Sequence, residues 1–467
     1  AAAVSVTSTG SLNIGTSSLG TGSLSLTGVG ITQSGALVTA GTTFFSAGAN
    51  PIVLTDAGNA MSANVRLFNS GANNITFVNS VATAFGGGGT TAGGDLTVTS
   101  TGAVTQASAL TVGGNFSMDA QGNAITLTNA TNAVTGTVTF NNTGAPFGTT
   151  SWREAAAVTL AASSVSDLVV QAGGAITQTG ALSVGWSSSF TAGANAITLT
   201  NAGNAFGTTV ALSNSGANDV QLNNTGALAL ASSTVGGNLT LTKTGAGDIT
   251  QTGPVSVGGN LSVNLTAGNV VLTQGANSAA AMSVGGNASF TAGAFAITLN
   301  NAANAVAGSV AFTNTGANAV AWQESGAVSL LASSVGGNLT VQSGGTVTQA
   351  GALTVGGNAT FTTGASAITL THVSNAVTGD AAFNNTGANA VAWNEAGAVS
   401  LGASNVGGAY TVTAGGAITQ TGIQTIGGAS SFTTAAFAIT LTNASNAFTG
   451  AVSLGNSGAN NVTATST

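Results

Sequence analysis

The sequence predicts an all-β protein that folds as a parallel β-helix, or β-solenoid, of roughly 18–25 coils. Three observations support this fold class. A short phrase, I-T-Q or V-T-Q, recurs along the whole chain, and short runs alternate between apolar and small polar residues. In addition, charged residues make up only 3% of the 467 positions. The coils are expected to stack into a single continuous rod.

The recurring phrase sets the length of the repeat. It begins at six positions, which are Ile31, Val104, Ile176, Ile249, Val347 and Ile418. The steps between them are 71 to 73 residues, apart from one of 98 residues. The long step predicts an extra coil around residues 257–284. Because no linker interrupts the series, we predict one repeat array over residues 1–467, with a unit near 72 residues.

Residues 338–409 show how one repeat divides into strands. Runs such as LTV (339–341), VTQ (347–349) and AITL (367–370) place an apolar residue at every second position. This is the pattern of a strand with one buried face. Words rich in Gly and Asn stand between the runs and are typical of tight turns. A strand about every nine residues predicts coils of roughly 18–27 residues.

The scarcity of charge fits the same architecture. Equivalent side chains of a solenoid stack about 4.8 Å apart, where like charges repel and Asn, Thr and Ser can bond to one another. Ten acidic and three basic residues give a net charge of −7. Three isolated cations cannot form the basic patch that nucleic acids require. No apolar run reaches the about 18 residues of a membrane helix, so membrane insertion is not expected.

Several phrases resemble a known class of proteins. They are GGAITQTGALSVG (173–185), NAITLTNAGNAF (195–206) and SSTVGGNLTLT (232–242). Such phrases resemble the repeat regions of bacterial adhesins, namely filamentous-haemagglutinin-like proteins of two-partner secretion and autotransporter-type repeat proteins. The resemblance covers essentially the whole chain. It implies a right-handed β-helical shaft that is exported and displayed at, or released from, the bacterial cell surface.

A repeated Trp-x-Glu is the most suggestive chemical pattern. It comprises Trp152 with Glu154, Trp322 with Glu324, and Trp393 with Glu395. The last two carboxyls are one repeat apart, about 14–19 Å along the stack, whereas paired glycosidase carboxyls lie at most about 9.5 Å apart. Other repeats carry Phe77 and Leu222 at the Trp position. We therefore interpret the Trp residues as packing residues, with an exposed aromatic ladder that binds sugars or a partner as the alternative.

The remaining candidates favour structural roles. His372 is the only histidine and cysteine is absent, so no metal site is expected. His372 also stands where other repeats have a turn Asn. The glycine-rich run 85–94 lacks the Lys that a phosphate-binding loop requires. The three cations lie in different repeats. We expect neither an enzyme nor a cofactor.

These observations favour a structural shaft of a secreted bacterial surface adhesin or extracellular fibre, for example in a biofilm. Such a shaft acts through its length, stiffness and stacking. The alternative is a solenoid that binds glycans, or less favourably ice, through lateral ladders of Thr, Asn and Trp. The expected partners are a second copy stacked head to tail, or continuation in a longer chain, and cell-surface glycans.

Two expectations concern individual side chains. Alternate apolar residues should point inward in stacked columns, among them Ile176, Leu182, Val184, Ile368, Leu370, Val391, Val399 and Leu401. Asparagines in the turn words should lie at coil corners, some in the left-handed conformation. These asparagines are Asn142, Asn218, Asn385 and Asn389.

Overall fold

The computed structural model describes residues 2–272 and 281–467, and this part of the chain contains only strands and turns. The chain divides into two compact units, Ala1–Gly226 and Ala227–Thr467. About 22 coils of parallel strands are stacked in the described residues. The all-β class, the parallel solenoid and the coil number are therefore confirmed. The described residues include no helix long and apolar enough to cross a membrane.

The strands of the first unit are numbered β1 to β31 in chain order. They are Val4–Thr7, Leu12–Ile14, Ser17–Leu19, Leu24–Thr27, Ile31–Gln33, Leu37–Thr39, Thr43–Ser46, Ile52–Leu54, Ala60–Met61, Asn64–Phe68, Ile75–Asn79, Thr83–Phe85, Thr90–Ala92, Leu96–Ser100, Val104–Gln106, Leu110–Val112, Phe116–Asp119, Ile125–Leu127, Ala133–Val134, Val138–Asn142, Thr149–Glu154, Val158–Leu160, Ser163–Val165, Asp167–Ala172, Ile176–Gln178, Leu182–Val184, Ser188–Thr191, Ile197–Leu199, Ala205–Phe206, Thr209–Ser213 and Val220–Asn224.

The described strands of the second unit are numbered β32 to β64. They are Leu228–Leu230, Ser233–Val235, Leu239–Lys243, Ile249–Gln251, Val255–Val257, Leu261–Leu265, Val270–Val271, Met282–Val284, Ala288–Thr291, Ile297–Leu299, Ala305–Val306, Val310–Thr313, Val320–Glu324, Val328–Leu330, Ser333–Val335, Leu339–Ser343, Val347–Gln349, Leu353–Val355, Ala359–Thr363, Ile368–Leu370, Ala376–Val377, Asp380–Asn384, Val391–Glu395, Val399–Leu401, Ser404–Val406, Tyr410–Ala414, Ile418–Gln420, Gln424–Ile426, Ser430–Thr434, Ile439–Leu441, Ala447–Phe448, Val452–Gly455 and Val462–Ala464.

Strand pairing joins each coil to the next one along the chain. Paired residues of adjacent coils lie 18 to 27 residues apart in the sequence. The shortest separation joins Val158 to Ile176, and the longest joins Val270 to Ile297. This range agrees with the coil length expected from the strand spacing. The extra coil predicted around 257–284 includes residues 273–280, which lie outside the described residues.

Each coil contributes to two main sheets, and long strands alternate with pairs of short strands. In the first unit, long strands β4, β7 and β10 stack on one sheet, followed there by the short pairs β12/β13, β15/β16 and β18/β19. The long strands β21, β24 and β27 then continue that sheet. Long strands and short pairs exchange sheets where two long strands follow each other along the chain, as β10 and β11 do.

This exchange explains where the recurring phrase lies. One repeat, β11 to β20, holds four long strands and three short pairs, which are seven half-coils. Because seven is odd, the phrase changes sheet at each repeat. In the first unit, Ile31 and Ile176 lie on one sheet and Val104 on the other. In the second unit, Ile249 and Ile418 lie on one sheet and Val347 on the other.

The core of each unit is built from alternate residues of the strands. The strand β54, for example, is buried at its first, third and fifth residues and half-buried at the two between them. The eight residues expected to point inward are all at most 2% exposed, which confirms the predicted register: Ile176, Leu182, Val184, Ile368, Leu370, Val391, Val399 and Leu401.

The V-G-G-N words form corners that are joined by a side-chain ladder. The Oδ1 atom of Asn338 accepts the backbone N–H of Asn358 in the next coil at 2.9 Å, and Oδ1 of Asn358 accepts that of Asp380 at 2.9 Å. The coils approach so closely here that a Cβ atom on Gly357 would overlap Oδ1 of Asn338 and lie 2.8 Å from the carbonyl carbon of Gly337. Glycine is therefore required by the contact between coils.

The expectation that some corner asparagines adopt the left-handed conformation is wrong. Among the described residues, the only non-glycine residues with positive φ are Gln121 and Phe147, whereas Gly144, Gly216 and Gly387 have it beside the four asparagines. Glycine adopts this conformation without a Cβ penalty. The asparagines bond to the turns instead. Asn142, Asn218, Asn385 and Asn389 each donate an amide N–H to a backbone carbonyl.

A Gly357→Ala substitution tests the corner contact. We expect a loss of about 1–3 kcal/mol in the free energy of unfolding, because the added methyl group must push two coils apart. The control is Gly397→Ala, where a Cβ atom meets nothing within 4 Å. Urea denaturation of both variants measures the difference. Equal stability of the two would contradict the close approach at Gly357.

Candidate functional site: the Trp–Glu clusters

The three Trp-x-Glu patterns lie on equivalent long strands, β21, β44 and β54. Strand alternation places the Trp and the Glu on the inner face and the residue between them on the outer face. The Trp side chains are 1%, 1% and 0% exposed, and the Glu side chains are 2%, 4% and 6% exposed. We call each Trp and Glu, with the backbone N–H that contacts the Glu, a Trp–Glu cluster.

In each Trp–Glu cluster, two N–H groups donate to the carboxyl group. At Glu395, the indole N–H of Trp393 donates to Oε2 at 3.1 Å, and the backbone N–H of Val377 donates to Oε1 at 2.6 Å. The corresponding distances are 3.3 Å and 2.7 Å at Glu154, and 3.3 Å and 2.6 Å at Glu324. The backbone donors belong to short strands of the preceding coil. Each carboxyl group therefore satisfies a buried N–H that the neighbouring coil leaves without a backbone partner.

Aromatic packing accounts for the Trp residues. Trp393 contacts both Phe361 and Phe383, with ring centroids 6.2 Å and 5.4 Å away. The other two Trp residues each contact two Phe residues at 5.2 to 6.0 Å. Phe361 and Phe383 lie on the sheet opposite to that of Trp393. Such contacts are worth about 0.5–1.5 kcal/mol each beyond the burial of area, and they join the two sheets across the core.

The alternative of an exposed aromatic ladder does not hold for these residues. No sugar or partner can stack on Trp152, Trp322 or Trp393, because all three rings are buried. Glu324 and Glu395 also lie on opposite sheets of the second unit, so they form no acid–base pair. Glu154 belongs to the first unit.

In two other repeats, the amide group of an Asn accepts the equivalent backbone N–H. Asn79 accepts the backbone N–H of Met61 at 2.9 Å, and Asn224 accepts that of Phe206 at 2.8 Å. Two residues before these asparagines stand Phe77 and Leu222, which have no polar N–H in the side chain. A carboxyl group is thus used where the side chain must accept the indole N–H in addition to the backbone N–H. This association within the chain explains why Trp and Glu occur together.

Burial raises the pKa of all three carboxyl groups. Removal from water is the largest cause for Glu154, Glu324 and Glu395, and the two hydrogen bonds oppose it in each case. The pKa of Glu395 is raised to about 7. A part of the Glu395 carboxyl groups is therefore protonated at neutral pH.

The Gln of the recurring phrase forms a second polar contact of the repeat, which is partly buried. The Nε2 atom of Gln349 donates to Oδ1 of Asn375 at 2.8 Å, and Nδ2 of Asn375 donates back to Oε1 of Gln349 at 2.9 Å. Asn375 also accepts the backbone N–H of Leu353 at 3.0 Å. The same reciprocal amide pair joins Gln33 to Asn59, Gln106 to Asn132, Gln178 to Asn204, and Gln420 to Asn446. These pairs are not among the contacts predicted from the sequence, although each Asn follows its Gln by 26 residues.

The remaining candidate residues do not converge on one site. The Nδ1 atom of His372 accepts the backbone N–H of Ser374 at 3.1 Å, as a turn Asn does elsewhere. Arg66 lies 4.7 Å from the ring centroid of Phe44. Lys243 is buried and donates to the carbonyls of Gly245 and Ala267, and burial lowers its pKa. The described residues contain no group of three acidic or His side chains that could hold a metal ion.

Comparison with protein families identifies the repeat. A sequence profile described as repeats of unknown function, DUF5649, matches residues 1–68, 72–141, 148–213, 217–282, 278–313, 317–384 and 388–455. The chain belongs to the DUF5649 repeat family. Comparisons with curated proteins and with solved structures give no match. The DUF5649 segments that start at 148, 317 and 388 begin just before β21, β44 and β54, so a Trp–Glu cluster lies on the first strand of each.

An Asn375→Asp substitution tests the amide pair. The carboxylate cannot donate to Leu370 O, Asn394 O or Gln349 Oε1, which Asn375 Nδ2 contacts. A buried group left without a partner, here Leu370 O, costs about 1–3 kcal/mol, so we expect a loss of about that size at neutral pH. The control is Asn389→Asp at an exposed turn. Urea denaturation that gives equal midpoints for the two variants would contradict the assigned role.

Proposed function

We propose that the chain is the structural shaft of a secreted bacterial surface adhesin or extracellular fibre. The observation that carries this proposal is that strand pairing joins only neighbouring coils, at separations of 18 to 27 residues. A fold of this kind is extended by adding coils, because no contact between its ends is needed to close it. The proposal assigns the molecule a mechanical role and no catalytic one.

Stiffness along the stack is supported by three series of contacts. Backbone hydrogen bonds connect the strands of adjacent coils, the aromatic residues of the Trp–Glu clusters join opposite sheets, and the amide pairs join coils through partly buried side chains. Buried contacts of this kind are shielded from water and resist local opening. Export and display at a bacterial cell surface belong to the proposal and are supported by the resemblance to adhesin repeats.

Stacking of a second copy head to tail, or continuation in a longer chain, belongs to the proposal. It is supported by the in-register parallel pairing of adjacent coils, which a further coil could continue through the same backbone hydrogen bonds.

A second candidate function is glycan binding on the lateral faces. In the second unit, outward-facing residues of one sheet form an uncharged column in register, which consists of Ser329, Thr348, Thr369, Ala392, Thr411, Ser431 and Ser453. A regular array of hydroxyl groups can bond to a polysaccharide. This alternative uses Ser and Thr, and no longer Trp. Ice binding by the same column is the less favoured form of it.

Electron microscopy of the purified chain tests the shaft. We expect elongated particles of uniform width, because coil stacking extends in one direction only. Particles that are globular would contradict the proposal. A glycan array and a thermal-hysteresis measurement on the same sample test the alternative, and specific binding in either one would favour the lateral column.

A further inference from the structure

The three glutamates of the chain all occupy the same position of the repeat. Seven of the ten acidic residues are Asp, and the remaining three are Glu154, Glu324 and Glu395. Each of these Glu residues is the acceptor in a Trp–Glu cluster and is at most 6% exposed. The chain thus places every glutamate carboxyl in the interior.

The contacts of these carboxyl groups do not supply a compensating positive charge. Both donors to Glu395, the indole N–H of Trp393 and the backbone N–H of Val377, are neutral. Moving an unpaired carboxylate out of water is costly, so burial favours the protonated form. At the same position, Asn79 and Asn224 accept the equivalent backbone N–H with a neutral group. A protonated, neutral Glu therefore resembles these asparagines more closely than an ionised Glu does.

Few other titratable groups surround the clusters. The strands packed against Glu395 carry Tyr410, whose pKa is raised by burial, and the preceding turn carries His372. The strands packed against Glu324, which are β41, β42 and β47, carry none. Around Glu154, Arg153 lies on the outer face of the same strand and Asp167 begins the next strand.

We propose that the three Trp–Glu clusters make the solenoid coils around them proton-responsive, so that these coils become more stable when the solution is acidified. The direction of this change in stability follows from the linkage between proton binding and folding. The native pKa of Glu395 is raised from 4.5 to about 7, so the folded protein binds more protons than the unfolded chain between these values. Stability is then greatest below the unfolded pKa and is lost as the pH rises through the native one.

The experiment replaces each cluster by the residues that the repeat 72–141 has at the same positions. The graft variant carries Trp152→Phe, Glu154→Asn, Trp322→Phe, Glu324→Asn, Trp393→Phe and Glu395→Asn, which copies Phe77 and Asn79. A reference protein keeps the clusters, and both proteins carry His372→Asn so that the imidazole does not contribute. Urea midpoints are measured at about pH 5 and about pH 8.

We expect the urea midpoint of the reference protein to be higher at about pH 5 than at about pH 8. The graft variant should show a much smaller difference between its midpoints at the two pH values. The proposal is overturned if the reference is less stable at about pH 5. It is also overturned if both proteins have the same pH dependence, because titratable groups outside the Trp–Glu clusters would then be responsible.

A second measurement needs no substitution and remains decisive if the graft variant fails to fold. Glutamate labelled with carbon-13 at the side-chain carboxyl reports on the Trp–Glu clusters alone, since the chain has no other Glu. In the native protein, we expect all three carboxyl signals to titrate above the ordinary value of 4.5. Titration of all three signals at or below that value would overturn the proposal.

Discussion

Every coil of this protein must satisfy the backbone hydrogen bonds of its neighbours, and most of the repeat can be understood from that constraint. Strand segments do so through parallel ladders, but a ladder stops wherever the chain turns. A buried N–H or C=O at such a place needs a side-chain partner. Three series of polar side chains provide one: the corner asparagines of the V-G-G-N words, the Gln–Asn amide pairs, and the acceptors at the ends of strands β11, β21, β31, β44 and β54. The regular spacing of the repeat brings these partners together, as the 26 residues between Gln349 and Asn375 do.

The choice among polar side chains depends on whether N–H groups alone, or N–H and carbonyl groups together, have to be satisfied. An amide both accepts and donates, so it fits where N–H groups and carbonyl groups meet, as around Asn375. A carboxyl group fits where two N–H groups converge, as they do at Glu395. The aromatic residue that fills the core thus determines the polar residue two positions later. Packing and hydrogen bonding cannot be varied independently in this strand.

The coil stack and the buried face of each strand could be predicted from the sequence, because alternation along a strand is local and visible in any short window. Ile368 and Leu370 illustrate this, as their positions follow from the pattern AITL alone. The partner of Gln349 could not be predicted in the same way, since it lies 26 residues further on and the pairing depends on the exact length of the intervening coil. The conformation of Asn385 was also not predictable from composition, because Gly387 beside it takes the positive φ that the turn requires.

The odd number of half-coils in a DUF5649 repeat has a geometric consequence within each unit. Successive repeats are related by a two-fold screw operation along the stack, so a residue type fixed at one repeat position is displayed alternately on opposite sides. Two repeats, or seven coils, restore the original direction after about 34 Å. A single residue change that is shared by all repeats therefore appears on both sides of the solenoid. Two such solenoids lying side by side would meet equivalent surfaces whichever sides they presented.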